Sequence, residues 1–370
     1  MAGLYFHIPF CKRICAYCDF YRSADLRLID DVWSAMCEEL REQRGFLTDR
    51  QIRTIYFGGG TPSLLDAHLI GGLIERASEI FDCSAVEEVT VEANPDDITA
   101  KYAMALRDAG VNRVSLGVQS FDDEELRFMN RRHSASVAEQ AVRTLQSAGF
   151  DNITVDLIFG VDGFGEEVLQ RSLDKVLALN VQHVSAYHLT IEPETAFGRR
   201  LARGKMSEVT ESVSEREYAL IERVLCGAGF EHYEVSNYAL RGMRSRHNSS
   251  YWRGVEYLGI GPGAHSFNGK ERRWCEQSLE EYIDCRKYQR EILTLTDFRN
   301  EAIMTSLRCA EGIDMVDFEC RFGTKQAARL REMAARWVES GDMIDDGGAL
   351  RIPTARFLIS DAVIESLFEV

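Results

Sequence analysis

No apolar run in this 370-residue chain approaches the ~18 residues that a membrane-spanning helix needs, so stable membrane insertion is not expected. Positive charge is also short. Lysine and arginine number 43 against 59 aspartates and glutamates, a formal net charge of −16. A surface of that sign repels phosphate backbones and anionic lipid, which makes nucleic acid a poor partner. The opening Met-Ala-Gly-Leu-Tyr-Phe-His-Ile lacks the basic segment, apolar core and cleavage site of a secretory leader, and a cytoplasmic location is expected. There is no repeat of fixed period and no low-complexity tract. In a reducing compartment the ten cysteines do not make a disulfide framework. Seven of them are scattered and read as small buried hydrophobes. The other three fall within eight positions.

What is present is an alternation of short apolar runs with longer amphipathic stretches. Strands are expected at 4–8, 54–57, 88–92, 113–118, 154–159 and 183–189. Helices are expected near 28–44, 66–81, 98–108, 137–148 and 166–179. Such β–α alternation predicts an α/β fold with parallel strands joined by right-handed crossovers. Six units make a partial (β/α)6 barrel of the TIM type, with an open sheet as the alternative. After residue 190 the rhythm is lost. From about residue 296, three short helices (300–310, 315–322 and 325–340) precede a hairpin around Asp346-Gly347-Gly348, a small winged-helix-like unit. The expected organisation is a core barrel over 1–190, an extension over 191–295 and a C-terminal domain over 296–370.

The clustered cysteines read Cys11-Lys-Arg-Ile-Cys15-Ala-Tyr-Cys18, a C-x₃-C-x₂-C spacing in the loop after the first strand. Three thiolates there can converge on a soft-metal centre. On a cubane of four irons they leave one iron open. Zinc held by the same thiolates plus His7 is the competing reading. Four further segments sit at strand ends. In Phe57-Gly58-Gly59-Gly60-Thr61-Pro62, consecutive glycines let backbone approach a ligand closely. Glu92-Ala-Asn-Pro95 offers a carboxylate, and Gly117-Val-Gln119-Ser120 is followed by Arg131. Asp156 stands inside an otherwise apolar strand and must find a partner there. Strand ends are where β/α folds gather their sites.

The cysteine spacing, together with Tyr5-Phe-His-Ile-Pro-Phe-Cys11, resembles the radical S-adenosylmethionine superfamily. Within it the chain resembles the oxygen-independent coproporphyrinogen oxidase group and its HemW relatives, which are haem chaperones. The resemblance implies a radical SAM barrel. It also implies a 4Fe–4S cluster on Cys11, Cys15 and Cys18, with S-adenosylmethionine at the open iron. It assigns Tyr5, Tyr17, Gly59, Gly60, Thr61, Glu92, Gln119, Arg131 and Asp156 to that cofactor. The loop Gly160-Val-Asp-Gly-Phe-Gly165 departs from the family's usual Gly-Leu-Pro-Gly-Gln-Thr, so its contacts do not transfer.

Two features separate the relatives. The oxidases carry a further cysteine two residues after the third, where this chain has Phe20. The segment His247-Asn-Ser-Ser-Tyr251-Trp252 matches an H-N-x-x-Y-W pattern associated with haem in the chaperones. Histidine is a common axial ligand of haem iron, and aromatic rings pack on the macrocycle. His265, in a glycine-rich run, is a lesser candidate ligand. Period-2 alternation puts Tyr5 and His7 on one strand face, where His7 reads as a packed, hydrogen-bonded residue. The resemblance thus implies a chaperone that binds haem and hands it to haem-acceptor proteins, respiratory enzymes among them, with a bacterioferritin-like donor possible. The alternative is oxygen-independent coproporphyrinogen III oxidase, which decarboxylates its substrate in porphyrin biosynthesis.

Overall fold

The computed structural model describes residues 2–369. Six strands form its centre: β1 (Ala2–Ile8), β2 (Ile52–Gly59), β3 (Glu88–Ala93), β4 (Arg113–Gln119), β5 (Ile153–Phe159) and β6 (His183–His188). They lie side by side in chain order and all run parallel. Nearly every residue in them is buried, as parallel strands covered on both faces require. Between them run amphipathic helices, among them Ile29–Glu42, Ala67–Ile80, Ala135–Ser147 and Glu166–Ala178. Val32, Met36 and Leu40 show the pattern, at i, i+4 and i+8 on the buried face of the first. Several helices start where a side chain accepts an orphan N–H: Asp66 from His68, Thr99 from Tyr102 and Ser134 from Val137. On β1, Leu4, Phe6 and Ile8 enter the core, and Phe6 stacks on Phe57 at 4.8 Å.

The sheet does not stop at six strands. Beyond β6 it adds β8 (Asn237–Ala239) and β7 (Glu231–Glu234), both antiparallel. Beyond β1 it adds β9 (Tyr257–Ile260) in parallel, then β10 (His265–Phe267), β11 (Glu271–Trp274) and β12 (Gln289–Ile292) antiparallel. The result is twelve strands in the order β12-β11-β10-β9-β1-β2-β3-β4-β5-β6-β8-β7. All four residues of the outermost β12 face solvent.

Near the C-terminus come the helices Leu295–Leu307, Met315–Phe322 and Thr324–Ser340. A small antiparallel sheet joins β13 (Ile313–Asp314), β15 (Ala349–Arg351) and β14 (Ile344–Asp345). The expected hairpin is β14–β15, and β13 is an unforeseen third strand. This region is tied to the edge of the large sheet by backbone. Val235 donates to the Arg308 carbonyl and Ala310 to that of Tyr233, each at 3.0 Å. Among the described residues, no helix is long and apolar enough to cross a membrane.

Candidate functional site

The cysteine loop leaves the C-terminal end of β1 and closes on itself: Ser23 donates to the Pro9 carbonyl and Cys11 to that of Ser23. Other elements hold its middle. The Ala16 N–H donates to Met129, the Phe197 N–H to Ala16, and the Asn130 side chain to the Ile14 carbonyl. Cys11 is buried, Cys15 and Cys18 are partly so, and all three are free thiols. The Thr61 hydroxyl donates to Cys11 Sγ at 3.4 Å, and Arg131 donates to Cys15 Sγ at 3.2 Å. Burial raises the pKa of Cys11 and Cys18, and the nearby Arg22 opposes this in both. No three His, Cys, Asp or Glu side chains among the described residues surround a single ion. In a cubane each thiolate holds a different iron. Three thiols in one loop, beside two arginines, are a donor set that fits such a group. His7 is committed elsewhere: its Nδ1 meets the Tyr5 hydroxyl at 3.2 Å and its Nε2 the Tyr21 carbonyl at 3.0 Å.

The glycine run passes so close to β1 that side chains are excluded. A Cβ on Gly60 would lie 2.8 Å from the carbonyl oxygens of both Ile8 and Phe10. Gly59 has φ +104° and backs onto the His7 ring. From there a chain of contacts joins the remaining expected residues. Tyr5 stacks on Tyr56 at 6.0 Å, and the Tyr56 hydroxyl donates to Glu92 at 2.7 Å. Glu92 also accepts the Gly59 N–H at 3.2 Å. Asn94 donates to Thr61 and accepts from Arg131 at 2.6 Å, while Arg131 also donates to the Gly117 carbonyl. Tyr17 lies beside Arg131 and Cys15, and its pKa is raised by burial. Gln119 closes β4 at φ 65°, a left-handed conformation uncommon for a residue with a side chain, and its Oε1 is buried without a hydrogen-bond partner. A strained amide with an orphaned acceptor suits a residue that waits for a ligand.

Asp156 does find partners, as burial demanded. Ser115 Oγ lies 3.2 Å from each of its carboxylate oxygens. Burial pushes Asp156 up to about 6 and Glu92 up to about 7, and each carboxylate is opposed by Arg113. Arg113 is almost wholly buried and donates to Thr154 Oγ1 at 2.5 Å.

A cavity of about 1360 Å³ opens next to this bed, larger than the ~300–1,000 Å³ usual for small-molecule sites. Tyr5 of β1, Phe20 of the cysteine loop, Tyr251, Trp252, Trp274 and Phe298 give it aromatic walls. Phe20 is 63% exposed. Arg244, Arg253, Arg272 and Arg321 also line it, interspersed with the carboxylates Asp19, Glu276, Glu301, Glu311 and Asp317. His247 stands behind this wall. It is buried, with Nδ1 2.8 Å from Thr54 Oγ1 and Nε2 2.7 Å from the Tyr251 hydroxyl, and desolvation lowers its pKa to about 3. The helix Arg246–Trp252 thus turns Tyr251 and Trp252 to the cavity and His247 to the barrel.

A partial parallel barrel bearing a three-thiol loop and a glycine bed at its strand ends is the architecture of a radical SAM protein. The profile of the Radical SAM superfamily matches residues 5–176, and that of the HemN C-terminal domain matches residues 293–355. The heme chaperone HemW of Lactococcus lactis is 37% identical over 98% of this chain and 96% of its own length. That of Mycobacterium tuberculosis is 34% identical over 99% and 94%. The chain belongs to the HemW family. The coproporphyrinogen III oxidase HemN of Escherichia coli, a radical SAM enzyme, superposes with a TM-score of 0.84 over 99% of this chain and 90% of its own, at 21% identity. That likeness is one of fold: a partial (β/α)6 barrel with a small C-terminal domain.

Sequence reasoning passed over three residues of the bed. Asn94 lies inside the quoted Glu92–Pro95 motif, where an amide before a proline reads as a turn former. Tyr56 is a strand residue before the glycines, with no charge to flag it. Arg113 carried a usable signal, since a cation opening an apolar strand needs burial partners.

Proposed function

We propose that this protein is a haem chaperone: it binds haem in the aromatic cavity and releases it to haem-acceptor proteins such as respiratory enzymes. The observation that carries the reading is the cavity itself, walled by Tyr251 and Trp252 on one side and by Phe20 of the cysteine loop on another. Family membership supports it, since the relatives are named as heme chaperones. The reading assigns a 4Fe–4S cluster to Cys11, Cys15 and Cys18. It assigns S-adenosylmethionine to Tyr5, Tyr17, Gly59, Gly60, Thr61, Glu92, Gln119, Arg131 and Asp156. The cluster would supply an open iron at which that molecule can bind. Glu92 and Asp156, when ionised, offer negative charge to a cationic ligand, and Arg131 holds Asn94 and the loop sulfur in register. His247 acts from behind, fixing the Tyr251 hydroxyl. The extension 191–295 and the tail 296–370, read as separate units, supply facing walls of the cavity. In this reading the protein works in the cytoplasm and does not insert into the membrane.

One anaerobic preparation tests it. Haem titration should saturate at one equivalent per chain, and the Trp252→Ala variant should bind more weakly. The same sample given S-adenosylmethionine, a reductant and coproporphyrinogen III should yield no protoporphyrinogen. Turnover without haem binding would transfer the assignment to the oxidase reading.

A further inference from the structure

The cavity contains a histidine that neither the motif nor the cofactor bed uses. Of the eight histidines, His7 and His265 line it. Both nitrogens of His7 are engaged, as are those of His247 behind the wall. The other five lie away from the cavity lining. His265 is exposed to the cavity, and neither of its ring nitrogens has a hydrogen bond among the described residues. Its orientation is nevertheless set. It opens β10 directly opposite Trp274 of β11, and the two rings stack at 5.7 Å and 11°. A free imidazole held edge-outward by an indole is a preformed metal donor. It need break no hydrogen bond to bind, whereas His247 would have to give up two and leave Thr54 and Tyr251 unpaired in a buried place. Desolvation, and then the nearby Arg272, lower the His265 pKa, which favours the neutral form that ligates metals.

The cations of the cavity divide the same way. Arg244 is paired with Glu231 and Glu311, Arg272 with Glu301, and Arg321 with Asp317. Arg253, in the same wall, has no close ion pair and no side-chain hydrogen bond among the described residues, and its charge is felt only at longer range by Glu311 and Cys309. A planar apolar ring with a Lewis-acidic metal and carboxylate arms matches a stacked wall that has one open imidazole and one unpaired guanidinium.

We propose that His265 is the axial ligand of haem iron in this protein and that Arg253 pairs with a propionate. This rests on the haem-binding reading and names the residues within it. An imidazole lone pair is donated to iron, and no bond is broken in the protein. The test is anaerobic titration of wild type, His265→Ala, His265→Met and His247→Ala with haem and with metal-free protoporphyrin IX, followed by absorption and electron paramagnetic resonance. Wild type should show a histidine-ligated spectrum. His265→Ala should lose that signature and bind haem about tenfold or more weakly, a cost that even an outer partner of a metal site can carry. It should bind metal-free porphyrin as wild type does, and added imidazole should restore the signature. His265→Met should shift the spectrum to a thioether ligand, and His247→Ala should keep the histidine signature. An unchanged spectrum in His265→Ala, or equal loss of haem and metal-free porphyrin, overturns the assignment while leaving haem binding intact. Wild type that binds no haem overturns the parent reading together with it.

Discussion

Tyr251 does two jobs at the scale of one residue: its ring lines the cavity, and its hydroxyl satisfies the buried Nε2 of His247. Tyr251→Phe keeps the ring and removes only the second. An orphaned buried polar group costs about 1–3 kcal/mol, so the unfolding free energy should fall by that amount and lower the urea midpoint accordingly. No change in midpoint would mean that the imidazole finds water there. Glu92 carries a prediction about pH. Its folded pKa is about 7 against 4.5 for an exposed glutamate, with burial the main cause. The folded state therefore holds the proton more tightly. The stability this contributes is full below pH 4.5 and is lost as pH rises through 7. Asp156, raised to about 6, acts with the same sign. Glu92→Gln removes the first contribution. The stability of ligand-free wild type relative to this variant should fall between pH 4.5 and 7.5 in paired urea titrations, and a flat or rising difference refutes it. Residues of this kind were unequally legible. Cys11, Glu92 and Arg131 stand in motifs. Arg253 becomes noticeable only once its neighbours are known, and His265, a lesser candidate in the sequence, gains weight there, because what distinguishes both is the lack of a hydrogen-bonded partner.

Among the elements, the β2 turn shows how a motif can be right for a different reason. The three glycines predict close approach of a ligand, yet Gly60 is required first by the protein itself. Its missing Cβ leaves room for the carbonyls of Ile8 and Phe10, immediately before Cys11. Backbone atoms cannot swing aside, so Gly60→Ala should push the cysteine loop outward and lower iron and sulfide per chain after anaerobic reconstitution. Gly45→Ala meets nothing within 4 Å and serves as the control. Equal iron in both would show that the loop yields. The six central strands were readable because parallel strands, buried on both faces, leave long apolar runs in the sequence. The outer ones were not. Strand β11 is Glu-Arg-Arg-Trp, only partly buried, and β9 pairs with β1 across more than 250 positions of sequence. Local pattern carries no trace of either.

For the whole molecule, the cavity matters because its walls come from distant parts of the chain: Tyr5, Phe20, Trp252, Trp274 and Phe298. No window of sequence could have revealed it. The Arg272–Glu301 pair spans the seam between β11 and the helix Leu295–Leu307. A ligand bound there should brace the seam. At a free haem concentration 100 times its Kd, linkage adds about 2.7 kcal/mol to folding, read as a rise in the thermal midpoint. A midpoint that does not move under saturating haem would mean that haem does not bind the folded state in preference to the unfolded one.

The twelve-stranded sheet is open, and its two margins are treated differently. At β7, His232 packs edge-on to Phe357 at 5.2 Å, and the chain covers its own border. At β12 all four residues are exposed, and the strand reads Gln289-Arg290-Glu291-Ile292. A bare strand edge is a template on which a second molecule can crystallise its own backbone, the first step toward a precipitate. Arg290 and Glu291 should oppose that, since charged side chains on an edge strand disfavour a strand added alongside. Arg290→Val with Glu291→Thr should therefore scatter light at concentrations where the native protein stays clear, with haem affinity unaltered. That outcome would make a four-residue strand the determinant of how concentrated the protein can be kept in solution.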